Sequence, residues 1–237
     1  NALKNPVAVM SFALGNKHSL HEAIILRSAA YLFGARWKKA DWKNALNEIH
    51  SGELVPQVNN INNIKVGNNI NTTFGKWIYC CVRVVKPKII VETGVSHGSS
   101  SWIILNALHK NKTGQLISVD LPDNDLNSNY NFNGSAQTGW LVPAELRNQW
   151  NLQLGDAKKI LPQLLEKSKE IDLFFHDSDH SFEHMQWEFN TIFPYLIKDG
   201  LVLSDDVHQH AAFPEFVAKN NLRALTFNKG GCAIKSK

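Results

Sequence analysis

Acidic residues follow nearly every short apolar run of this chain, and their spacing is the first sign of chemistry in the sequence. They are Glu92, Asp120, Asp156, Asp177, Asp205 and Asp206. In an open parallel sheet, ligands bind in the crevice outside the carboxyl ends of the strands. Carboxylates gathered at one crevice repel one another unless a cationic ligand or a metal ion is present. The pattern therefore predicts a site for a cation, either an organic molecule or a divalent metal.

Three of these acids, Asp177, Asp205 and Asp206, follow two strands that we predict to be neighbours. We call these three residues the acidic rim. Their carboxylates form the kind of hard oxygen cluster that suits Mg²⁺. A bound cation would lower the pKa of a coordinated hydroxyl and hold its oxygen for attack. The sequence also allows a simpler role, in which Asp177, Ser178 or Asp179 caps the helix at Phe182 and Asp206 caps the one at Phe213.

Asp120 and Asp156 follow the second and third predicted strands. A carboxylate after the second strand suits a ribose diol, because it can accept both hydroxyl hydrogens. A carboxylate after the third strand can accept a hydrogen bond from an adenine amino group. Each residue has a plainer alternative, since Asp120 can be an ordinary loop residue before Pro122 and Asp156 can cap the next helix.

Five of the ten histidines lie between positions 176 and 210, close to the acidic rim. A general base that works near neutral pH is therefore expected there. We favour His180, three residues after Asp177, although each histidine taken singly fits a surface position. His180 and His184 also match the zinc-hydrolase pattern H-x-x-E-H, but that pattern needs a helix interior and here it directly follows a strand.

The segment Lys88–Ser101 predicts the strand, glycine-containing turn and helix around which the site is built. We call Gly94–Gly98 the glycine loop. Glycines let the backbone approach a ligand closely, and a helix start presents N–H groups to it. The spacing Glu92-x-Gly94-x-x-x-Gly98 is a weak signal alone, and it depends on the rest of the chain for support.

Strands and helices alternate after the glycine loop, which predicts a doubly wound α/β fold. Further strands are predicted at Gln115–Val119, Asn151–Leu154, Ile171–His176, Leu201–Ser204, Leu222–Phe227 and Cys232–Lys235, with helices that include Phe182–Ile197. Asn-Lys-Gly-Gly between the last two strands is a hairpin signal. We therefore expect a Rossmann-like, seven-stranded, mostly parallel sheet that ends in an antiparallel hairpin.

The chain divides into a helical leader, residues 1–73, and an α/β domain, residues 74–237. The leader is expected either to cover a substrate pocket or, more simply, to pack in an interface between copies of the chain. Asp123–Thr138 is a long polar segment that contains aromatic residues, and we interpret it as an active-site lid.

Composition excludes several classes of protein. The net charge is +4 and the lysines are scattered, so no basic stripe for nucleic acid is present. No apolar run reaches membrane-spanning length. The three cysteines are an odd number and two of them are adjacent, which favours reduced thiols in the cytoplasm.

Five segments together resemble class I S-adenosylmethionine-dependent methyltransferases. More narrowly, they are similar to metal-dependent O-methyltransferases of the catechol and caffeoyl-CoA type and to related bacterial sugar and antibiotic O-methyltransferases. The matching segments are 92–100 (E-x-G-x-x-x-G-x-S), 117–120, 155–164, 175–183 (which contains D-x-D-H-S-F-E) and 200–206. Their order and spacing make the resemblance specific, and it covers about residues 74–237.

The resemblance implies a role for each matching residue. The S-adenosylmethionine ligands would be Glu92, Gly94, Ser96, Gly98, Ser100, Asp120, Asp156 and Asp177. The acidic rim would hold Mg²⁺ or a similar ion, and His180 or Asp177 would act in catalysis. His180 stands where catechol-type enzymes have a catalytic lysine, so the identity of the base stays open. The implied reaction is methyl transfer to a hydroxyl of a small molecule or sugar.

Two alternatives remain after the sequence has been considered. The first is a metal-independent methyltransferase, in which the acids only cap helices. The second is a non-catalytic nucleoside-binding or assembly module whose leader mediates oligomerisation. An RNA ribose methyltransferase is disfavoured, because the sequence has neither a Lys-Asp-Lys-Glu tetrad on the relevant strand ends nor a basic groove.

Overall fold

The computed structural model describes residues 17–57, 69–122 and 137–236. Its helices are α1 (Lys17–Phe33), α2 (Lys39–His50), α3 (Thr73–Val85), α4 (Ser99–Asn111), α5 (Ala157–Ser168), α6 (Phe182–Ile192) and α7 (Ala212–Lys219). Its strands are β1 (Ile89–Thr93), β2 (Gln115–Asp120), β3 (Trp150–Leu154), β4 (Ile171–His176), β5 (Leu196–Ser204), β6 (Arg223–Phe227) and β7 (Gly230–Ile234). Most of the predicted lid lies outside the described residues.

The seven strands form one sheet in the order β3-β2-β1-β4-β5-β7-β6. Strands β1 to β5 pair in parallel, and β7 pairs antiparallel with both β5 and β6. The chain order reverses between β1 and β4, which are neighbours at the centre of the sheet. The predicted Rossmann-like sheet with its terminal hairpin is therefore confirmed, and its switch point lies at the ends of β1 and β4.

The boundary between α6 and β5 differs from the prediction. The sequence predicted a helix to Ile197, but α6 ends at Ile192 and a single 3-10 turn, Phe193–Tyr195, follows it. Pro194 lies in that turn, where its ring and missing N–H stop the α-helix. Strand β5 consequently begins at Leu196, five residues before the predicted start, and is nine residues long.

Helix α4 is buried on all sides over its first ten residues, Ser99 to Leu108. A helix with apolar residues all round needs cover on both faces. The sheet covers one face, and α3 together with the leader segment around Val55 covers much of the rest. There, Trp102 Nε1 donates to the Val55 carbonyl at 2.9 Å, and the Val55 N–H donates to Asn106 Oδ1 at 2.8 Å.

The leader helices share a hydrophobic core with the α/β domain. The Trp42 ring of α2 stacks on the Trp77 ring of α3 with centroids 5.0 Å apart, and Phe33 of α1 lies 5.3 Å from Trp42. Helix α1 also packs against β6, where Arg223 Nη1 donates to the Tyr31 carbonyl at 3.2 Å. The leader is thus attached to both the beginning and the end of the sheet domain.

A partly buried ion pair fastens α2 to α3. Arg83 of α3 donates to both carboxylate oxygens of Glu48, at 2.6 and 2.5 Å, and Tyr79 donates to the same carboxylate at 2.9 Å. Burial raises the pKa of Glu48, but the hydrogen bonds from Arg83 and Tyr79 outweigh it and hold the pKa below its ordinary value. The carboxylate therefore stays charged at neutral pH.

The Glu48→Gln variant is expected to lower the free energy of unfolding by about 2 kcal/mol, because Arg83 keeps its charge without a charged partner. Denaturant unfolding measures the change. The control is Glu53→Gln, which loses an ion pair with Lys110 on the surface and is expected to cost less than about 1 kcal/mol. Equal losses in the two variants would contradict the stabilising role of the Glu48 pair.

Cys80, Cys81 and Cys232 are buried and form no disulfide. Among the described helices, none combines the length and the apolar character that crossing a bilayer requires.

Candidate active site

The glycine loop connects β1 to α4 and packs directly on the end of β4. Gly94 has a φ of 80°, and a Cβ atom there would lie 2.0 Å from the backbone oxygen of Asp177. A side chain at this position is unfavourable for two reasons: the backbone is left-handed, and a Cβ atom would clash with the Asp177 oxygen. Gly94 brings the loop against the acidic rim at the switch point of the sheet.

Asp120, at the end of β2, fixes the shape of the glycine loop. Its Oδ2 accepts hydrogen bonds from the N–H groups of Val95 and Ser96 at 2.9 and 2.7 Å, and its Oδ1 accepts from Leu121 N at 2.8 Å. The structure thus gives Asp120 a positioning role that the sequence did not predict. Its contact with a ribose stays a prediction.

The residues that follow the predicted lid close over the other end of the glycine loop. Gly139 N donates to the Ser96 carbonyl at 2.8 Å, and Leu141 N donates to the His97 carbonyl at 3.0 Å. Gly98 has a φ of 89°, and a Cβ atom there would lie 2.9 Å from the Gly139 Cα. Both glycines of the predicted motif are thus needed for close backbone contacts within the protein itself.

Glu92, which was predicted to contact a cofactor, is completely buried beneath the glycine loop. Ser100 donates to one carboxylate oxygen at 2.7 Å, and Ser101 and Ser118 donate to the other at 2.6 Å each. Burial raises the pKa of Glu92 to about 7, although the three serines lower it. Because Glu92 has no exposed surface and Ser100 almost none, they would influence a ligand through the position of α4. Sequence reasoning found Ser100 but missed Ser101 and Ser118.

Asp156 caps α5, because its Oδ1 accepts from the Lys158 N–H at 2.8 Å. The capping alternative from the sequence is therefore confirmed. The contact of Asp156 with an adenine stays a prediction.

The acidic rim lies at the ends of β4 and β5. His176 and Ser204 are register partners in these strands, so Asp177 and Asp205 follow directly opposite each other. Asp177 N donates to the Thr93 carbonyl at 2.8 Å, which also ties the rim to β1. The Asp206 Oδ1 atom lies 3.6 Å from both His208 Nδ1 and Lys229 Nζ, so an imidazole and an ammonium group face this carboxylate.

The donor chemistry of the acidic rim fits Mg²⁺, but the side chains are not arranged as a ligand set. Among residues 17–57, 69–122 and 137–236, no group of three or more His, Cys, Asp or Glu side chains could hold a metal ion as placed. The structure therefore brings the three acids to one edge of the sheet without assembling the predicted magnesium site.

His180 lies between the acidic rim and α6. Its Nε2 atom is 3.7 Å from Asp177 Oδ1, and it has no hydrogen-bond partner in the part of the chain that the structure describes. Burial lowers the pKa of His180, and nearby His176 lowers it further. Ser181 caps α6, so His180 precedes the helix. The zinc-hydrolase pattern, which needs a helix interior, is therefore not formed.

A second buried carboxylate near the site, Glu188, was missed by sequence reasoning. It is completely buried on α6, and its Oε2 accepts from Thr93 at 2.7 Å and from His176 at 2.6 Å. Its Oε1 accepts from Ser178 and His184, both at 2.9 Å. Burial raises the pKa of Glu188, but the two histidines outweigh it and hold the pKa far below its ordinary value.

A signal for Glu188 was present in the sequence. Met185, Phe189 and Ile192 form the buried face of α6, and Glu188 lies on that same face. An acid among apolar residues at helical spacing indicates a buried carboxylate that must have partners.

Comparison with known proteins agrees with this geometry. Residues 91–207, which include the glycine loop and the acidic rim, match the family described as a methyltransferase domain. These residues are therefore similar to a methyltransferase domain, in agreement with the resemblance seen in the sequence motifs. No curated protein sequence matches the chain.

Several solved O-methyltransferases have a similar fold. One from Bacillus cereus, in complex with SAH, is 13% identical and aligns over 92% of this chain and all of its own, with a TM-score of 0.53. TomG from Streptomyces achromogenes, in complex with SAM, is 14% identical, with coverages of 94% and 100% and a TM-score of 0.55. NovP is 17% identical, with coverages of 93% and 100% and a TM-score of 0.53. At these identities the likeness concerns the fold.

Proposed function

We propose that this chain is an O-methyltransferase that methylates a hydroxyl group of a small molecule or sugar, assisted by a divalent ion. The observation that carries the proposal is the contact of Gly94 with the Asp177 backbone, which sets a cofactor-type glycine loop directly beside the acidic rim. The similar folds of O-methyltransferases in complex with SAH and with SAM support it.

The cofactor would lie at the ends of β1, β2 and β3. S-Adenosylmethionine, when bound, supplies an electrophilic methyl group on a sulfonium centre. Its proposed neighbours are Gly94, Ser96, Gly98, Asp120, Asp156 and Asp177. Glu92 and Ser100, which lie beneath the glycine loop, would act indirectly by positioning α4. Gly94 and Gly98 have no side chains, so the two ends of the loop can pack against Asp177 and Gly139 and hold the loop backbone at the crevice. Asp120, which already accepts three backbone N–H bonds, would also accept from a ribose hydroxyl.

His180 is the proposed general base. Its lowered pKa keeps the imidazole neutral near pH 7, so Nε2 can accept the proton of the acceptor hydroxyl. Asp177, 3.7 Å away, stabilises the imidazolium that results. Holding the hydroxyl oxygen in line with the methyl group would provide much of the acceleration.

The acidic rim would hold the divalent ion, Mg²⁺ or a similar one, through Asp177, Asp205 and Asp206. When bound, such an ion orients the acceptor oxygen and favours its deprotonated form. The oxygen donors fit the chemistry of Mg²⁺, and the three side chains would have to rearrange to form a ligand set.

Calorimetric titration with S-adenosylhomocysteine tests the proposal most directly. We expect one site with a dissociation constant between about 1 μM and 1 mM. Transfer of a labelled methyl group to a panel of catechols and glycosides then identifies the acceptor class. We expect chelation with EDTA to abolish transfer and Mg²⁺ to restore it. Absence of binding would overturn the whole proposal, whereas transfer that resists EDTA would favour the metal-independent alternative.

We propose a cytoplasmic location as well, because a reducing compartment suits three buried thiols that form no disulfide.

A further inference from the structure

Glu188 has no exposed surface, and its four hydrogen bonds reach the ends of β1 and β4, the turn after β4 and α6. We propose that Glu188 is a positioning residue, which holds the glycine loop and the acidic rim at a fixed distance from each other. This inference rests on the proposed function, because it assumes that the two features bind one cofactor between them.

Asp177 is held from both sides by Glu188. The residue before it, His176, donates to Glu188 Oε2 at 2.6 Å, and the residue after it, Ser178, donates to Oε1 at 2.9 Å. The backbone of Asp177 therefore spans the two oxygens of one buried carboxylate. Rotation or displacement of this segment would break at least one of the two bonds.

Thr93 connects Glu188 to the glycine loop by a further hydrogen bond. It is the last residue of β1, and its hydroxyl donates to Glu188 Oε2 at 2.7 Å. Its carbonyl accepts from Asp177 N at 2.8 Å, and the next residue, Gly94, touches the Asp177 carbonyl. Thr93 and Asp177 are thus joined directly through the backbone and a second time through Glu188.

The network requires a carboxylate. Two donors point at each oxygen of Glu188, and a carboxylate can accept all four bonds. A glutamine side chain has one acceptor oxygen, so its NH₂ group would face two of the donors. One of two donor pairs would therefore lose its acceptor. Thr93 and His176 donate to Oε2, and Ser178 and His184 donate to Oε1.

The test compares Glu188→Gln with the wild type and with Gln186→Ala. Gln186 lies on the same helix, donates to the Ala212 carbonyl and accepts from Asn190, all outside the network, so Gln186→Ala is a matched control. At a temperature where all proteins are folded, Glu188→Gln is expected to weaken S-adenosylhomocysteine binding at least about tenfold. Gln186→Ala should stay within about twofold of the wild type.

Two further measurements separate positioning from general stability. Thr93→Val removes one hydroxyl and keeps the shape of the side chain, and it is expected to weaken binding by about threefold to tenfold even if Glu188→Gln does not fold. In ¹⁵N-histidine NMR spectra, the hydrogen-bonded Nδ1–H signal of His176 should be present in the wild type and in Gln186→Ala. It should be lost or shifted in Glu188→Gln.

The possible results are distinct. If the wild type binds S-adenosylhomocysteine and Glu188→Gln and Thr93→Val bind it equally well, the positioning role is overturned and the proposed function stands. If the variants only unfold at lower temperature while the folded protein keeps its affinity, Glu188 is a stabilising residue and the inference again fails. A wild-type protein that does not bind the ligand overturns both.

Discussion

The Gly94→Ala variant is expected to lose at least about 3 kcal/mol of stability and at least about a hundredfold in affinity for S-adenosylhomocysteine. The added Cβ atom would meet the Asp177 carbonyl at 2.0 Å and the Ser178 nitrogen at 2.7 Å. Both contacts are with backbone, so neither can be relieved by turning a side chain. The loop and the end of β4 must move apart, which enlarges the cofactor crevice. Thermal unfolding and calorimetry measure the two effects.

Gly52→Ala is the matched control for this variant. Gly52 has a similar φ of 72°, but a Cβ atom there would have nothing within 4 Å. Its cost should therefore be only that of a left-handed alanine, about 1 kcal/mol, with unchanged ligand affinity. If Gly94→Ala behaves like Gly52→Ala in both measurements, the close contact between the glycine loop and β4 is wrong.

The Glu92→Gln variant is expected to remove a pH dependence from the stability of the protein. Burial raises the pKa of Glu92 from 4.5 in the unfolded chain to about 7 in the folded protein. The folded state therefore holds this proton more tightly, and stability falls as pH rises from about 4.5 through about 7. The total loss is about 3 kcal/mol, which corresponds to about 6 to 12 °C in the unfolding midpoint.

Thermal unfolding of wild type and Glu92→Gln between about pH 5 and pH 8 measures this loss as the difference between their two slopes. The raised pKa of His184 also makes stability fall as pH rises, but it acts in both proteins and cancels in the difference. Glu53→Gln removes an exposed carboxylate with a lowered pKa, whose effect lies below this pH window, so its slope should equal that of the wild type. Parallel slopes for wild type and Glu92→Gln would show that Glu92 is ionised throughout.

The sheet could be predicted from the sequence because its signals are local. Apolar runs such as Ile171–His176 and the Asn-Lys-Gly-Gly turn indicate strands and a hairpin without knowledge of distant residues. The boundary at Pro194 was missed although the proline is visible, because the apolar pattern of α6 continues past it into β5. The prediction of the helix end followed this apolar periodicity and gave too little weight to Pro194, which ends the helix.

The candidate site could be predicted only in part, because its hydrogen bonds join residues that are far apart in the chain. The strand-end position of Asp120 follows from pattern, but its bonds to the loop after β1 depend on how two strands align. Likewise, no local pattern shows that Ser118 reaches Glu92 or that Thr93 reaches Glu188. Such contacts arise from the register of β1 with its neighbours, which single-chain patterns leave undetermined.

The attachment of α1 to β6 has a consequence for the order in which the protein is made. Tyr31 and Arg223, which join the two elements, are 192 residues apart in the chain. Synthesis proceeds from the N-terminus, so α1 leaves the ribosome long before the strand that it packs against exists. Helix α1, whose Ile25, Ala29 and Leu32 are fully buried in the finished protein, can pack on α2 and α3 early, but its contact with β6 forms only after almost the entire polypeptide has been made. Chaperones could bind this apolar surface during translation, and the packing of α1 against the completed hairpin would then bury it.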